Sequence, residues 1–222
     1  QAAGEHRDAV PAQEDLSALE KGLPNLYKHI ENMRTVYQKP VIVATNRFAG
    51  DTPAEIEAVM RGVERAGAKA VFTDVFLKGG EGGKELAEAV CAAAMQKSEL
   101  HYAYDLNDPI KKKIDDIVKN VYGGEGADFS EIARQKIAEA EARGFGKLPV
   151  IIAKTQYSLS DDAKLLARPQ GFRVHVRDII VKGGAEFIVA VAGNIMLMPG
   201  LGAHPAAERI DVDEEGEIVG LS

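Results

Sequence analysis

Tryptophan is absent from the chain, and cysteine occurs once, as Cys91. Stacking on any flat ligand would therefore fall to phenylalanine or tyrosine. A lone cysteine cannot close an internal disulfide, and within the helical run ELAEAVCAAAM it is expected as a small buried hydrophobe. No apolar run approaches the ~18 residues of a membrane-spanning helix. The first residues, QAAGEHRDAV, have neither the basic flank nor the apolar core of an export signal. Basic residues are in deficit: 27 Lys and Arg against 34 Asp and Glu give a net charge of −7. That balance argues against broad binding to nucleic acid or anionic membranes. The five histidines are scattered, with no two at the three-to-five spacing of metal ligands. These absences point to a cytoplasmic protein with no nucleic-acid or membrane partner.

What is present is ordinary globular material. Hydrophobic residues make up 45% and charged residues 27%, enough apolar content for a core in one large or two small domains. Leu16, Leu19, Leu23, Leu26 and Ile30 recur three or four apart, which predicts a helix, with two helices or a kink at Pro24. VIVAT (41–45) is short, β-branched and without alternation, as in a strand covered on both faces. Asp51 or Thr52 with Pro53 starts a helix striped by Ile56, Val59, Met60 and Val63, and Gly67 closes it. A second strand at Ala70–Phe76 leads through GGEGG into a helix over 84–97.

Strand–helix–strand–helix is the mark of a parallel α/β sheet. The fold class expected is thus α/β, the end of a parallel P-loop-type sheet followed by a smaller α+β lobe. The lobe is predicted to hold helices at 109–121 and 128–143, split by the loop YGGEGAD. It also holds the alternating strand FRVHVRD, a strand in EFIVAVAGNIM, and a hairpin about Glu215-Gly216. The divisions are 1–25 as a helical lead-in, 26–105 as the parallel part and 106–222 as the α+β part.

The motifs taken singly are indecisive. GGEGGKE (79–85) fails as a P-loop, because Lys78 stands where its first glycine belongs and Glu85 where Ser or Thr follows the lysine. It reads either as a flexible turn or as one whose backbone approaches a ligand closely. TNRF (45–48) sits where a guanine clamp would, but Ala49 replaces the needed carboxylate. Ser158 and Ser160 lack a nucleophile-elbow context. The acidic run DVDEEGE lacks the spacing of a calcium loop.

Together, several segments go further. GLPNLYKHIENM, PVIVATNRFAGDTPAE, FLKGGEGGKELAEAV, LPVIIAKTQYSLSDD, GFRVHVRD and MPGLGAHPAAERIDVDEEGEIVGL resemble, in order, the formate–tetrahydrofolate ligases. The resemblance runs from about Val10 to the last residues and matches only the C-terminal portion of that family. It implies the reaction formate + ATP + tetrahydrofolate to 10-formyltetrahydrofolate + ADP + phosphate. It also implies that the P-loop half, with the magnesium-nucleotide phosphates, lies outside these residues. The partners implied are tetrahydrofolate, an adenine nucleotide, and a separate P-loop half or further copies of the chain; a monovalent cation is possible in the family.

By the same resemblance, Phe48 and Phe76 sandwich the pterin of the folate. A Trp is usual at the second position, so a phenyl ring there would weaken stacking by about 1 kcal/mol. The competing assignment puts both rings in a core. Leu197, Met198, Pro199 and Gly200 would lie by the adenine. Asn46, Arg47, Gly79, Gly80, Gly82 and Gly83 would form the loops approaching the ligand. Ala49, Asn194, Leu197 and Gly202 depart from the family's usual residues. Those departures leave open a catalytically inactive folate-binding or scaffold homologue.

Overall fold

The structure is a computed structural model that describes residues 14–46, 50–193, 195, 203–214 and 216–220. It is an α/β arrangement with one parallel sheet, one mixed sheet and a two-stranded antiparallel pair. Helix α1 (Leu16–Glu31) opens on Asp15, whose carboxylate accepts from the Ala18 amide at 2.9 Å. It runs unbroken through Pro24 and ends in a π-helical turn, Asn32–Val36. Pro24 therefore does not divide two helices. Leu23 and Ile30 bury one stripe around it, and the helix is anchored to distant chain by side chains: Asn32 donates to Val121 O and Lys28 to Asn120 O. Tertiary contacts of this kind outweigh a single missing amide.

Strand β1 (Ile42–Asn46), helix α2 (Pro53–Arg65) and strand β2 (Lys69–Thr73) form the parallel unit. Thr52 starts α2 with a reciprocal box, its hydroxyl accepting from the Glu55 amide while the Glu55 carboxylate accepts from the Thr52 amide. The strands pair in parallel from Ile42 opposite Lys69 to Asn46 opposite Thr73. Strand β1 was expected to be covered on both faces, but it is only half-buried, with Ala44 and Asn46 exposed. The sheet here has two strands, so among the described residues no further strand pairs with its outer edges.

After β2 come a one-turn helix α3 (Val75–Lys78), a 3-10 turn over Gly79–Gly83, and helix α4 (Lys84–Ala94). Only Ala89 of α4 is buried. Cys91, expected inside, is exposed. The run ELAEAVCAAAM is apolar on average, and Cys91 lies on a side that no described element covers.

The second region holds the main core. Helix α5 (Ile110–Ile117) continues as a π-helical turn to Tyr122, and Ile110, Ile114 and Val118 are wholly buried at four-residue intervals. Strands β3 (Gly126–Phe129), β4 (Val150–Ala153), β5 (Arg173–Lys182) and β6 (Phe187–Ala192) form a sheet in the order β3-β5-β6-β4. Its outer pairs are parallel and the central pair antiparallel. Strand β5 alternates as read, with Val174 and Val176 buried and Arg173, His175 and Arg177 exposed.

Helix α6 runs Glu131–Ala142, capped by the Ser130 hydroxyl, and not from residue 128. Residues 126–129 are a strand: Gly126 has φ +144° and Ala127 donates to the Asp115 carboxylate, while the segment pairs with β5. The expected hairpin is present as β7 (Asp211–Val212) against β8 (Ile218–Val219). No helix among the described residues is long and apolar enough to cross a membrane.

Candidate ligand site at the strand ends

Because β1 and β2 are parallel and in register, their C-terminal ends are level. Asn46 and Thr73 face each other there, and the Thr73 hydroxyl donates to Asn46 Oδ1 at 2.7 Å. Crevices at the carboxyl ends of parallel strands are where open α/β sheets bind ligands. One residue beyond Thr73 the chain turns sharply. The Asp74 amide donates to Gly82 O at 3.1 Å, so the glycine turn folds back onto the strand end.

This fold-back explains the glycines individually. A Cβ on Gly82 would stand 2.3 Å from the Asp74 carbonyl oxygen. Gly79 has φ +56° and ψ −141°, backbone that side chains resist. Gly83 would meet only the Val75 side chain, at 3.1 Å, and Gly80 faces open space. The turn thus needs Gly82 and Gly79 for its own shape, a reason the sequence reading did not include.

On the outer side of the turn stands Phe76, 90% exposed, flanked by exposed Val75 and Leu77. Burial would normally hide a phenyl ring, worth about 1.5–3 kcal/mol. The core assignment is therefore excluded for this ring within the described residues. At the same strand ends two buried side-chain oxygens have no hydrogen-bond partner, Asp74 Oδ1 and Thr45 Oγ1. The other Asp74 oxygen meets the exposed Lys78 ammonium at 3.0 Å. Neither Asp74 nor Thr45 was singled out from sequence, since an unpartnered buried atom leaves no pattern along the chain.

A second cluster lies at the end of β4. Lys154 donates to Thr155 O and Ser158 O and sits 4.9 Å from the centre of the Tyr122 ring. Burial pushes its pKa down to about 8 and that of Tyr122 up to about 12. Ser158 and Ser160 are buried and bonded to each other at 2.9 Å, locking the loop and offering no exposed nucleophile. His175 lies on the open face of β5, its ring 3.1 Å from Asp161. An open cavity of about 540 Å³ between α1 and α2 is lined by Arg34, Arg65, Arg168 and Glu31. It adjoins the end of α2 that leads into the start of β2, so it lies away from the strand ends. Arg34 there serves the α2 terminus through Ala66 O, and Arg168 pairs with Glu31.

The family model for formate–tetrahydrofolate ligase matches residues 1–222. The chain belongs to the formate–tetrahydrofolate ligase family. A formate–tetrahydrofolate ligase of Psychrobacter sp. (strain PRwf-1) is 51% identical over 222 residues, covering 98% of this chain and 39% of the relative. One from Symbiobacterium thermophilum is 49% identical over 210 residues, covering 95% of this chain and 38% of that relative. The chain spans about two fifths of the length of these relatives.

Of the residues that the ligase resemblance singles out, the structure brings together Asn46, Phe76, Gly79, Gly80, Gly82 and Gly83 at one sheet end. Arg47 and Phe48 follow Asn46 directly but lie outside the described residues, as do Leu197, Met198, Pro199 and Gly200. Ala49, Asn194 and Gly202, among the departures from the ligase pattern, also lie outside them.

Proposed function

We propose that these residues form the folate- and adenine-binding portion of an ATP-dependent formate–tetrahydrofolate ligase, acting in one-carbon transfer. Residues 26–105 present the pterin site, and residues 106–222 form the supporting C-terminal domain with the nucleotide segment 197–200. The single observation that carries the reading is a bare phenyl ring, Phe76, at the carboxyl ends of parallel strands in a member of this family. Phe48, two residues beyond Asn46, supplies the opposing ring, so that the flat pterin lies between two aromatic faces.

The chemistry assigned to the whole enzyme is phosphorylation of formate by ATP, then attack of the folate N10 on formyl phosphate. Such transfers rest on positioning and on cationic groups around the phosphates. The segment 79–85 cannot serve as the phosphate loop, for its spacing is wrong and its turn is folded onto Asp74. Among the described residues no three His, Cys, Asp or Glu are placed to hold a metal ion. The phosphate-binding and magnesium-holding groups are therefore assigned to a P-loop portion outside these residues, and no step is assigned to magnesium here. The half-buried faces of β1, the exposed Val90 of α4 and Met95 just after that helix are where that portion, or a second copy, would pack.

An ATP-dependent assay of 10-formyltetrahydrofolate tests the division of labour. The purified residues alone should give no product, and adding a chain that carries the P-loop portion should restore it. Product from the 222 residues alone would contradict the assignment. Folate binding without activity under any complementation would mark an inactive binding homologue instead.

A further inference from the structure

The strand-end site holds an acid with an unused oxygen. Asp74 follows the last residue of β2, two residues before Phe76. Its backbone is fully engaged: the amide donates to Gly82 O and the carbonyl accepts from the Lys78 amide at 2.9 Å. Its side chain is 11% exposed, and although it occupies the first position before α3 it caps no amide there. Oδ2 faces Lys78, whose own side chain is 64% exposed and free to swing into solvent. Oδ1 is buried and has no partner.

A buried carboxylate oxygen without a donor is costly, and native proteins rarely keep one without a use. Three buried side-chain atoms among the described residues are in this condition, and two of them, Asp74 Oδ1 and Thr45 Oγ1, belong to this one sheet end. Thr45 stands opposite Phe72, one rung before the Asn46–Thr73 pair that closes the ladder. Both unsatisfied oxygens thus belong to the strand ends from which the chain leads to the exposed ring.

We propose that Asp74 is a specificity-determining residue that accepts hydrogen bonds from the amino edge of the stacked heterocycle. The inference rests on the pterin reading above and deepens it. A flat ring resting on Phe76 turns one edge toward the strand end, and only an edge bearing N–H donors can satisfy Asp74. The 2-amino group and N3–H of a pterin are two parallel donors, the same pattern that an arginine offers a carboxylate. One meets Oδ1 directly. The other shares Oδ2 with Lys78 or displaces that exposed ammonium, whose surface pairing is weak. Heterocycles of the same size without such an edge would leave the carboxylate unpaired and be rejected, as sites built on hydrogen bonds reject analogues lacking the group.

The test is calorimetric titration of the chain with tetrahydrofolate and with its 2-desamino analogue, for the unaltered protein, Asp74→Asn and Phe76→Ala, each with a thermal melt. Asp74→Asn should weaken tetrahydrofolate by about tenfold to a hundredfold and shift the desamino analogue by less than about twofold. Its unliganded Tm should hold or rise, since Oδ1 has no protein donor to lose. An equal loss for both ligands, or a lowered Tm, makes Asp74 a structural residue and overturns the inference. If Phe76→Ala weakens tetrahydrofolate while Asp74→Asn does not, Asp74 is refuted and the stacking site stands. If the unaltered chain binds neither ligand, the inference falls together with the pterin reading.

Discussion

The two regions of the molecule differ in how completely they bury their apolar side chains. In the second, α5 and α6 pack on the mixed sheet around Ile110, Ile114, Val118, Val174, Val176 and Ile188, all at or near zero exposure. In the first, the buried apolar set is thin (Leu23, Ile30, Val63, Val71, Ala89 and Ala103), while Val75, Phe76, Leu77, Val90 and Met95 stand exposed. Both contain βα units of similar composition, so the contrast lies in coverage. The second region completes its own core, whereas the first presents open strand sides and open strand ends. A site for a flat ligand belongs in the second kind of surface, where apolar area remains to be covered.

Stability should separate the regions most sharply. Ile114→Ala removes a wholly buried side chain from the main core and should cost about 2–5 kcal/mol. Phe76→Ala, at 90% exposure, should cost less than about 0.5 kcal/mol. Urea titrations of the two variants measure both, and comparable losses would erase the contrast. Next in size, Gly82→Ala pushes a methyl into the Asp74 carbonyl and should destabilise the first region by about 1–3 kcal/mol. Gly80→Ala, with nothing near, should stay within about 0.5 kcal/mol. Equal melts for the two glycine variants would show that the fold-back of the turn is not a constraint.

The second region should also carry a signature in alkali. The pKa of Lys154 is about 8 in the folded chain against an ordinary 10.5, so between these values the unfolded state binds more protons. Stability from this group therefore rises as pH climbs through that window, and below about 8 its destabilising effect is fully present. Tyr122 acts with the opposite sign. Its pKa is raised from 10 to about 12, so its contribution is lost as pH climbs above 10. Melting curves between pH 8 and 10 should show the rise, and Lys154→Met should flatten it. A rise unchanged in Lys154→Met would assign the effect elsewhere. The smallest expected effect sharpens the site itself: Phe76→Trp should tighten tetrahydrofolate by about 1 kcal/mol through added stacking area, without moving the melt.

Local signals were the ones legible in the sequence. The helix start before Pro53, which falls on Thr52 of the two candidates Asp51 and Thr52, the alternation of β5, the pairing of β7 with β8 and the parallel pairing of β1 with β2 all appear as read. What escaped reading depends on partners far along the chain. Strand β3 has four residues, GADF, with no period, and exists because β5 pairs with it some fifty residues on. Pro24 stays inside α1 because Lys28 and Asn32 reach the turn after α5. Cys91 is exposed because periodicity marks an apolar side but not what covers it. At the site, exposed Phe76 and the glycine turn were visible as residue types. The fold-back through Gly82 and the unpaired Asp74 oxygen required the third dimension.

The central claim is that the exposed ring at the strand ends serves a ligand and not the fold. Titration of tetrahydrofolate into the unaltered chain and into Phe76→Ala, with melts of both, tests it most directly. The account predicts affinity lower by about 1–3 kcal/mol in the variant, with an unchanged Tm. Unchanged affinity in a variant that melts lower would contradict it.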